Sequence, residues 1–363
     1  MSTTAKRMVK GRKAFMAATA VAAAAGAIVL PVQGAAAAET GTGQACTVEK
    51  LPIPDGLLFT FTTGMSDDGS VVAYRAYPAG NGDERFPLLY SDGEVTEVPI
   101  PGLDQQIADV NSSGDGAGYG FLGEGGAVPY AWRDGALVEL ANADSGQANG
   151  INEHGDIVGT VAKWDGEAES ELPVIWPAGE TEPVALPLPE GAGRAGASEI
   201  GDDGVVVGDY ENAEGVPVPY MWDADGKGSH LPMPEGVDPE TAWSYASDLQ
   251  GDWASGYLET PELGAVGVVW NLAEGTAHVT GLEGRATVNA EGTAAGETFP
   301  NAAFQPRDGK VVELPGAWDP ADNYFGDTAD QISADGSTIA GSVYVGEDAD
   351  GWHVLNAVVW TCA

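Results

Sequence analysis

Positive charge is scarce in this sequence. Of its 363 residues only 15 are Lys or Arg, against 55 Asp or Glu, so the formal net charge is −40. A surface this acidic repels phosphate groups, which excludes nucleic acid as a partner and disfavours binding to anionic membranes. The chain is nevertheless 43% hydrophobic, which is enough apolar surface to build a core. It is therefore a folded protein rather than an acidic disordered tail.

Cysteine and histidine are also scarce. The two cysteines are Cys46 and Cys362, and no two of the four histidines, His154, His230, His278 and His353, have the spacing of metal ligands. The acidic segments 223–226 and 347–351 resemble calcium loops, but neither has the full ligand pattern with a Glu at the twelfth position. We expect no metal and no cofactor, with Ca²⁺ as the alternative that stays open.

Only the N-terminus has a long apolar run. Five cations fall within the first 13 residues, an Ala-rich run follows over 15–30, and A-x-A cleavage choices end at Ala36 and Ala38. This pattern predicts a signal peptide over 1–38, a short linker over 39–45 and an exported domain over 46–363. A membrane anchor is the alternative, but the run is short for one. Whether export uses the general or the twin-arginine route stays open. Cleavage removes five cations and no acidic residue, so the net charge becomes −45.

Glycine, in contrast, is abundant, and it marks an internal repeat. The chain has 52 glycines, and a phrase with a Gly turn followed by a short apolar strand occurs seven times, about every 45 residues. The copies begin at Ser66, Asn111, Asn152, Gly201, Leu249, Asn289 and Ser333. A second phrase, with an aromatic anchor, often a D-G turn and often an L-P ending, follows each first one; the seventh copy is truncated.

Each repeat predicts four short strands, because apolar segments alternate with Gly and D-G turns. Four strands every 45 residues are typical of a β-propeller blade. The sequence therefore predicts an all-β fold, a seven-bladed β-propeller with four-stranded blades. An extended β solenoid is the rival interpretation, but it requires capping repeats at both ends.

The two chain ends complete each other. Residues 51–54 copy the end of a blade's last strand, whereas the seventh repeat stops where that strand would start. We therefore expect the N-terminal strand to complete the C-terminal blade and close the ring. Cys362 falls in the Asp position and Cys46 in the Gly position of the missing D-G turn. These positions predict a Cys46–Cys362 disulfide in an oxidising compartment.

The repeats resemble the extracellular HAF-type repeat and, more broadly, the blades of WD40-type propellers. The turns SDDG and SADG are similar to the WD40-type turn S-P-D-G, and the likeness covers about residues 46–363. The His-Ala-Phe triplet is replaced by Val-Pro-Tyr at 128–130 and 218–220. The resemblance implies an exported protein but no particular reaction.

No catalytic motif stands out. The sequence has no G-x-S-x-G elbow and no phosphate-binding Gly loop with Lys. Its carboxylates are so numerous that pairs arise by chance, and a glycosidase needs two at a defined separation.

Aromatic residues outside the repeat anchors are the candidate binding residues. We place them in connections that open on one face of the propeller: Trp164, Trp243, Tyr245, Trp318, Tyr324, Trp352 and His353. Aromatic rings beside carboxylates suit sugars or cations, whereas the alternative is that they pack the loops. We expect a secreted, monomeric, non-catalytic binding or scaffold module for an extracellular glycan or a cationic partner. The alternative is a propeller-type glycoside hydrolase or polysaccharide lyase. Two carboxylates converging in a pocket, at least one with a raised pKa, would distinguish the enzyme.

Overall fold

The computed structural model describes residues 46–78, 84–123, 126–141, 144–164, 169–239, 241–316, 325–348, 351 and 353–363. These residues belong to the second of two units into which the chain divides, residues 35–363. The predicted signal peptide and linker lie outside the described residues. Within the described ranges there is no helix with the length and apolarity that crossing a bilayer requires.

Antiparallel sheets of four strands are the recurring element, which confirms the all-β prediction. Four of them follow chain order strand by strand. They are β2 (Leu57–Met65), β3 (Val71–Pro78), β4 (Phe86–Ser91) and β5 (Glu94–Glu97); β6 (Leu103–Val110), β7 (Gly116–Phe121), β8 (Ala127–Arg133) and β9 (Ala136–Glu139); β10 (Ser145–Ile151), β11 (Ile157–Trp164), β12 (Glu169–Trp176) and β13 (Val184–Ala185); and β14 (Ala195–Ile200), β15 (Val206–Glu211), β16 (Pro217–Trp222) and β17 (Gly228–His230).

A seven-stranded sheet holds the next two repeats. Its strands are β18 (Trp243–Gln250), β19 (Trp253–Thr260), β20 (Gly264–Asn271), β21 (Thr276–Val288), β22 (Ala294–Thr298), β23 (Asn301–Gln305) and β24 (Val312–Glu313). The long strand β21 pairs with β20 through its first part and with β22 through its second part. One continuous strand therefore ends one repeat and begins the next.

The last sheet joins the two ends of the described chain. It contains β25 (Thr328–Ile332), β26 (Thr338–Glu347), β27 (His353–Cys362) and, at its edge, β1 (Cys46–Lys50). Strand β1 runs antiparallel to β27 with Cys46 opposite Cys362, and a disulfide joins the two residues, with an S–S distance of 2.06 Å. The predicted disulfide is therefore confirmed.

The D-G dipeptides form the tight hairpins that the sequence predicts. Asp92 and Gly93 connect β4 to β5, and both have positive φ, 53° and 81°. Asp134 and Gly135 do the same between β8 and β9, with φ of 50° and 75°. Two successive positive φ values match the twist of the flanking strands, which is why Asp and Gly are favoured there.

The aromatic anchors pack between neighbouring repeats. Trp176, Trp222, Trp270 and Trp360 are fully buried. Each indole N–H donates a hydrogen bond to a carbonyl near the end of the preceding repeat, at Ala141, Pro187, Pro232 and Pro315, over 2.7–3.0 Å. The anchor Trp of one repeat thus contacts the end of the last strand of the preceding repeat, where the L-P phrase lies. Burying the ring while pairing its N–H avoids the cost of an unpaired buried donor.

The first strands of the repeats carry a β-bulge, and glycines in the second strands accommodate it. The pairing register shifts around Ala108, Asn149, Ser198, Ser247 and Asp330. Opposite each bulge stands a glycine whose Cβ would lie 1.9–2.2 Å from a first-strand carbonyl oxygen: Gly118, Gly159, Gly208, Gly256 and Gly341. The bulge re-aims the side chains that follow it, as bulges near functional sites do.

Candidate functional site

The two ends of the sheets carry different cavities. We call the end with the turns between first and second strands, such as Asn152–Gly155, the turn face. The opposite end, where the second strands connect to the third, is the loop face. Asp330, the bulge residue of β25, lines a cavity towards the loop face, whereas Gln331, the next residue, lines one at the turn face. On β14, Ser198 likewise lines a separate cavity, whereas the next residue, Glu199, lines the turn-face cavity.

The turn-face cavity gathers carboxylates from several sheets. Asp109, Glu199 and Asp248 follow the bulges of β6, β14 and β18, and Asp67 lies at the rim. Burial raises the pKa of Asp109 to about 8, although backbone N–H donors such as that of Ile151 oppose the shift. Burial also raises the pKa of Glu199, and the charge of Asp109 adds to it.

The same causes act on the other two carboxyls. Burial, with the charges of Asp248 and Asp202, raises the pKa of Asp67 to about 7. Burial raises the pKa of Asp248 even though Thr287 Oγ1 and the N–H of Val288 each donate to it at 2.6 Å. The cavity has a volume of about 20 Å³, room for about one water molecule. It is therefore too small for a sugar or a comparable organic substrate.

The loop-face pocket is large enough for such a ligand. Its volume is about 650 Å³, within the usual range for small-molecule sites. One wall is aromatic: Phe59 stacks on Tyr77 with ring centroids 4.3 Å apart, and Phe61 meets both rings edge-on at 5.5 Å. Phe325, three residues before β25, also lines the pocket and is 49% exposed. Flat apolar rings of this kind provide stacking surfaces for a ligand.

Charged groups complete this pocket. Asp330 accepts hydrogen bonds from Thr328 Oγ1 at 3.2 Å and Ser342 Oγ at 3.4 Å. An adjoining cavity of about 180 Å³ shares Asp330, Thr328 and Arg285 with the pocket and adds Glu297. Two carboxyls and one guanidinium therefore meet where the two cavities join.

The two carboxyls have different electrostatic surroundings. Burial raises the pKa of Glu297, and the charges of Asp330 and Glu283 raise it further. Burial also raises the pKa of Asp330, but Arg285 and the two hydroxyls oppose that shift by stabilising its anion. The anion of Asp330 therefore has stabilising neighbours, whereas the carboxyl neighbours of Glu297 disfavour its anion.

A third cavity, of about 240 Å³, lies beside β14 and β15. Burial and the charges of Glu211 and Glu171 raise the pKa of Asp209 there to about 7. Arg194 forms an ion pair with Glu171 and so occupies part of this cavity with an internal contact. Asp209 and Glu297 hold equivalent positions in their repeats, one residue after Gly208 and Gly296.

The predicted binding residues fall into three groups. His353 lines the loop-face pocket, where Tyr344 Oη lies 3.1 Å from its Nδ1 and Phe325 packs against it edge-on. A second group lies on strands although the sequence predicts loops: Trp164, Trp243 and Tyr245. The remaining three lie outside the described residues: Trp318, Tyr324 and Trp352.

The loop assignment of Trp164, Trp243 and Tyr245 is wrong, because the strands extend further than the alternating pattern predicts. Trp164 is the last residue of β11, and Trp243 is the first of β18, where its side chain is 49% exposed. Tyr245 lies within β18 and stacks on Tyr257 with centroids 5.3 Å apart. The charges of Arg285 and Asp209 both act on the pKa of its phenol. Tyr245 therefore lies near the loop-face pocket, which contains Arg285, and near the cavity beside β14 and β15, which contains Asp209.

The described residues contain no group of three or more His, Cys, Asp or Glu placed to hold a metal ion. In the acidic segment 223–226, Asp223 Oδ1 instead accepts the backbone N–H groups of Asp225 and Lys227, at 3.1 and 2.8 Å. Its carboxylate therefore folds a turn. Part of the segment 347–351 lies outside the described residues.

Comparisons with known proteins identify the fold. No protein-family model and no curated protein matches the chain. The β-propeller domain of the Trilobed protease from Pyrococcus furiosus is similar over 83% of this chain and 93% of that domain, with a TM-score of 0.55 and 13% identity. A gluconolactonase from Xanthomonas campestris aligns over 92% of this chain and 99% of its own length, with a TM-score of 0.42 and 10% identity. A puromycin hydrolase aligns over 88% of this chain and 60% of its own, with a TM-score of 0.46 and 14% identity. The chain is thus an all-β protein of the β-propeller class.

The interpretation as a non-catalytic binding or scaffold module is wrong. The feature that would distinguish an enzyme is present, since Asp330 and Glu297 converge at a ligand-sized pocket and both have raised pKa values. The likeness to the propeller domain of the Trilobed protease shows the fold alone, so any activity must be argued from the pocket itself.

Proposed function

We propose that this protein is a propeller-type glycoside hydrolase that cleaves an extracellular polysaccharide in the loop-face pocket. The observation that carries the proposal is the meeting of Glu297 and Asp330 at the junction of two cavities, beside an aromatic wall. A pair of carboxyls across a sugar-binding surface is the usual machinery of glycoside hydrolysis. The pocket's volume accommodates at least one sugar ring, whereas the turn-face cavity does not.

The surroundings of the two carboxyls assign their roles. Burial and the charges of Asp330 and Glu283 raise the pKa of Glu297, which favours its protonated form, so we assign it as the acid that donates a proton to the leaving oxygen as the glycosidic C–O bond breaks. The charge of Arg285 and the hydrogen bonds from Thr328 and Ser342 oppose the upward shift that burial gives the pKa of Asp330, so we assign Asp330 as the base or nucleophile. It either takes a proton from the attacking water or attacks the sugar carbon itself, after which water releases the product.

Two substitutions test this assignment. Glu297→Gln and Asp330→Asn should each lower kcat on a responsive polysaccharide by about 10²- to 10⁴-fold, the usual contribution of a general acid or base. Reducing-end release from a polysaccharide panel measures the activity, and kcat/KM against pH should be bell-shaped. The acid limb should belong to Asp330 and the basic limb to Glu297.

The matched control is Asp209→Asn, which removes a carboxyl with a raised pKa from the equivalent position two repeats away. This variant should keep full activity. A loss as large as that of Glu297→Gln would move the active site to the cavity beside β15 and contradict the proposal.

The architecture is proposed in finer detail as a closed ring of seven blades. Seven repeats, the shared strand β21 and the pairing of β1 with β27 support it. The resemblance to HAF-type and WD40-type repeats belongs to the same proposal. The disulfide between Cys46 and Cys362 is consistent with an extracellular location, where such bonds persist.

A further inference from the structure

Arg285 is unusual among the arginines of this acidic protein. Five of the six arginines that the structure describes donate side-chain hydrogen bonds to a carboxylate or a carbonyl: Arg75, Arg85, Arg133, Arg194 and Arg307. Within the described part of the chain, Arg285 donates none and forms no ion pair. Acidic residues outnumber basic ones by more than three to one, so the missing hydrogen bond and ion pair are not the result of a lack of carboxylates.

The position of Arg285 indicates that its guanidinium N–H groups face a ligand-binding pocket. The residue lies on β21, is exposed, and lines both the loop-face pocket and the adjoining cavity. Arg75, on the far side of the pocket, has a buried Nε with no hydrogen-bond partner, while its Nη1 pairs with Asp104 at 3.1 Å. Of these two guanidinium groups, the exposed one of Arg285 therefore offers unused N–H donors to a ligand in the pocket, in a protein whose net charge after cleavage of the predicted signal peptide is −45.

An anionic ligand would use these donors. A carboxylate matches the planar fork of a guanidinium and accepts two parallel hydrogen bonds from it. It also carries a single charge, which limits its repulsion from Asp330 and Glu297 compared with the divalent charge of a phosphate monoester. In the aromatic wall, Tyr77 is buried beneath Phe59 and Arg85, whereas Phe59 and Phe61 are partly exposed and supply a stacking surface for the sugar ring that bears the carboxylate.

We propose that the substrate is an acidic polysaccharide built from uronic acids, and that Arg285 selects it by binding a uronate carboxylate. The proposal rests on the proposed glycoside hydrolase function, which it deepens by naming the substrate class. Arg285 is here a specificity-determining residue. Because the surface as a whole repels a polyanion, long-range repulsion should slow association at low ionic strength, and moderate salt should relieve it.

The test compares two probes with the same sugar backbone, tetragalacturonic acid and its fully methyl-esterified form, in which each carboxylate is replaced by an uncharged methyl ester. Calorimetric titration should show the acid binding about tenfold or more tightly than the ester, the scale of hydrogen bonds to a charged group. Arg285→Gln should abolish this preference without weakening the ester, and Arg285→Lys should restore part of it. Arg307→Gln, which removes an exposed arginine paired with Glu274 outside the pocket, is the matched control and should retain the preference.

The outcomes separate this proposal from the function on which it rests. Equal binding of acid and ester by the wild type, or a preference that survives Arg285→Gln, would overturn the substrate class, even if neutral polysaccharides are hydrolysed. An Arg285-dependent preference for the acid with no cleavage of any polysaccharide would support the binding site and overturn the hydrolase. Thermal unfolding checks that each variant is folded. We expect a midpoint near that of the wild type for Arg285→Gln, because Arg285 is exposed and its loss leaves no cavity.

Discussion

At the scale of single residues, the turn-face carboxyls have raised pKa values, and this determines how stability depends on pH. The pKa of Asp109 is about 8 in the folded protein, against about 4 in an unfolded chain. Between these values the folded state binds more protons than the unfolded state, so the free energy of unfolding falls as pH rises from about 4 to about 8. Glu199 and Asp67 shift in the same direction.

We therefore expect Asp109→Asn to stabilise the protein at high pH. The amide imitates the protonated carboxyl and still accepts the N–H of Ile151. At pH 8 the free energy of unfolding should rise by about 1–3 kcal/mol, after discounting for solvent that reaches the cavity, and at pH 4 it should hardly change. Urea titrations at the two pH values measure the effect.

Asp335 provides the control with the opposite sign. Hydrogen bonds from the N–H of Ser337 and from Ser333 Oγ, both 2.9 Å, lower its pKa. Its contribution is present above the unfolded pKa and disappears as the pH falls through the folded one, so Asp335→Asn should weaken the protein at pH 8. A wild type that is most stable at pH 8 would contradict the linkage assigned to Asp109.

At the scale of strands, the bulge and its glycine act as a unit. In Gly208→Ala the new Cβ would lie 2.1 Å from the carbonyl oxygen of Gly196, so the bulge of β14 would have to shift. We expect a loss of about 1–3 kcal/mol or more in the free energy of unfolding, typical of overpacking. Displacement of Glu199, two residues beyond the affected pair, should also change the pH dependence.

Gly296→Ala is the matched substitution at the equivalent position of another repeat. Its Cβ would approach no closer than 3.1 Å, to the carbonyl oxygen of Arg285. Chemical denaturation should show less than half the loss of Gly208→Ala. Equal losses would mean that the second strands need glycine for a reason other than room for the bulge.

The bulges also explain which features were predictable from the sequence. Strand spacing, D-G hairpins and the Cys46–Cys362 bond depend on local patterns that recur about every 45 residues. The sequence repeat therefore predicts all three. The facing of Asp330 and Gln331 into different cavities depends on a register shift of one residue, which alternation alone does not reveal. The strand positions of Trp164 and Tyr245 were missed because β11 and β18 extend beyond their regular alternation.

At the scale of the whole molecule, the sequence carries one signal for the proposed active site. With 55 acidic residues, no spacing marks Glu297 and Asp330 as partners, and only the fold brings them together. The scarcity of Lys and Arg is a better guide to this site than the spacing of the carboxylates. An Arg on a strand of so acidic a chain is expected to pair with a carboxylate, but among the described residues Arg285 forms no side-chain hydrogen bond and no ion pair.

The closure of the chain ends is the remaining whole-molecule feature to test. The disulfide spans 316 residues, and the loop-entropy relation gives about 5–6 kcal/mol as an upper value for its stabilisation. Strong self-repulsion from the net charge opposes the compact state, so this covalent link should matter. We expect the double variant Cys46→Ser/Cys362→Ser to keep its strand content by circular dichroism but to lose about 2–5 kcal/mol in the free energy of unfolding. Wild type that is unfolded, reduced, alkylated and refolded should behave in the same way, which separates the loss of the bond from the introduction of serine. If the double variant unfolds at the wild-type temperature, the pairing of β1 with β27 and the Trp360 contact hold the ends together without the disulfide, and the predicted stabilisation is wrong.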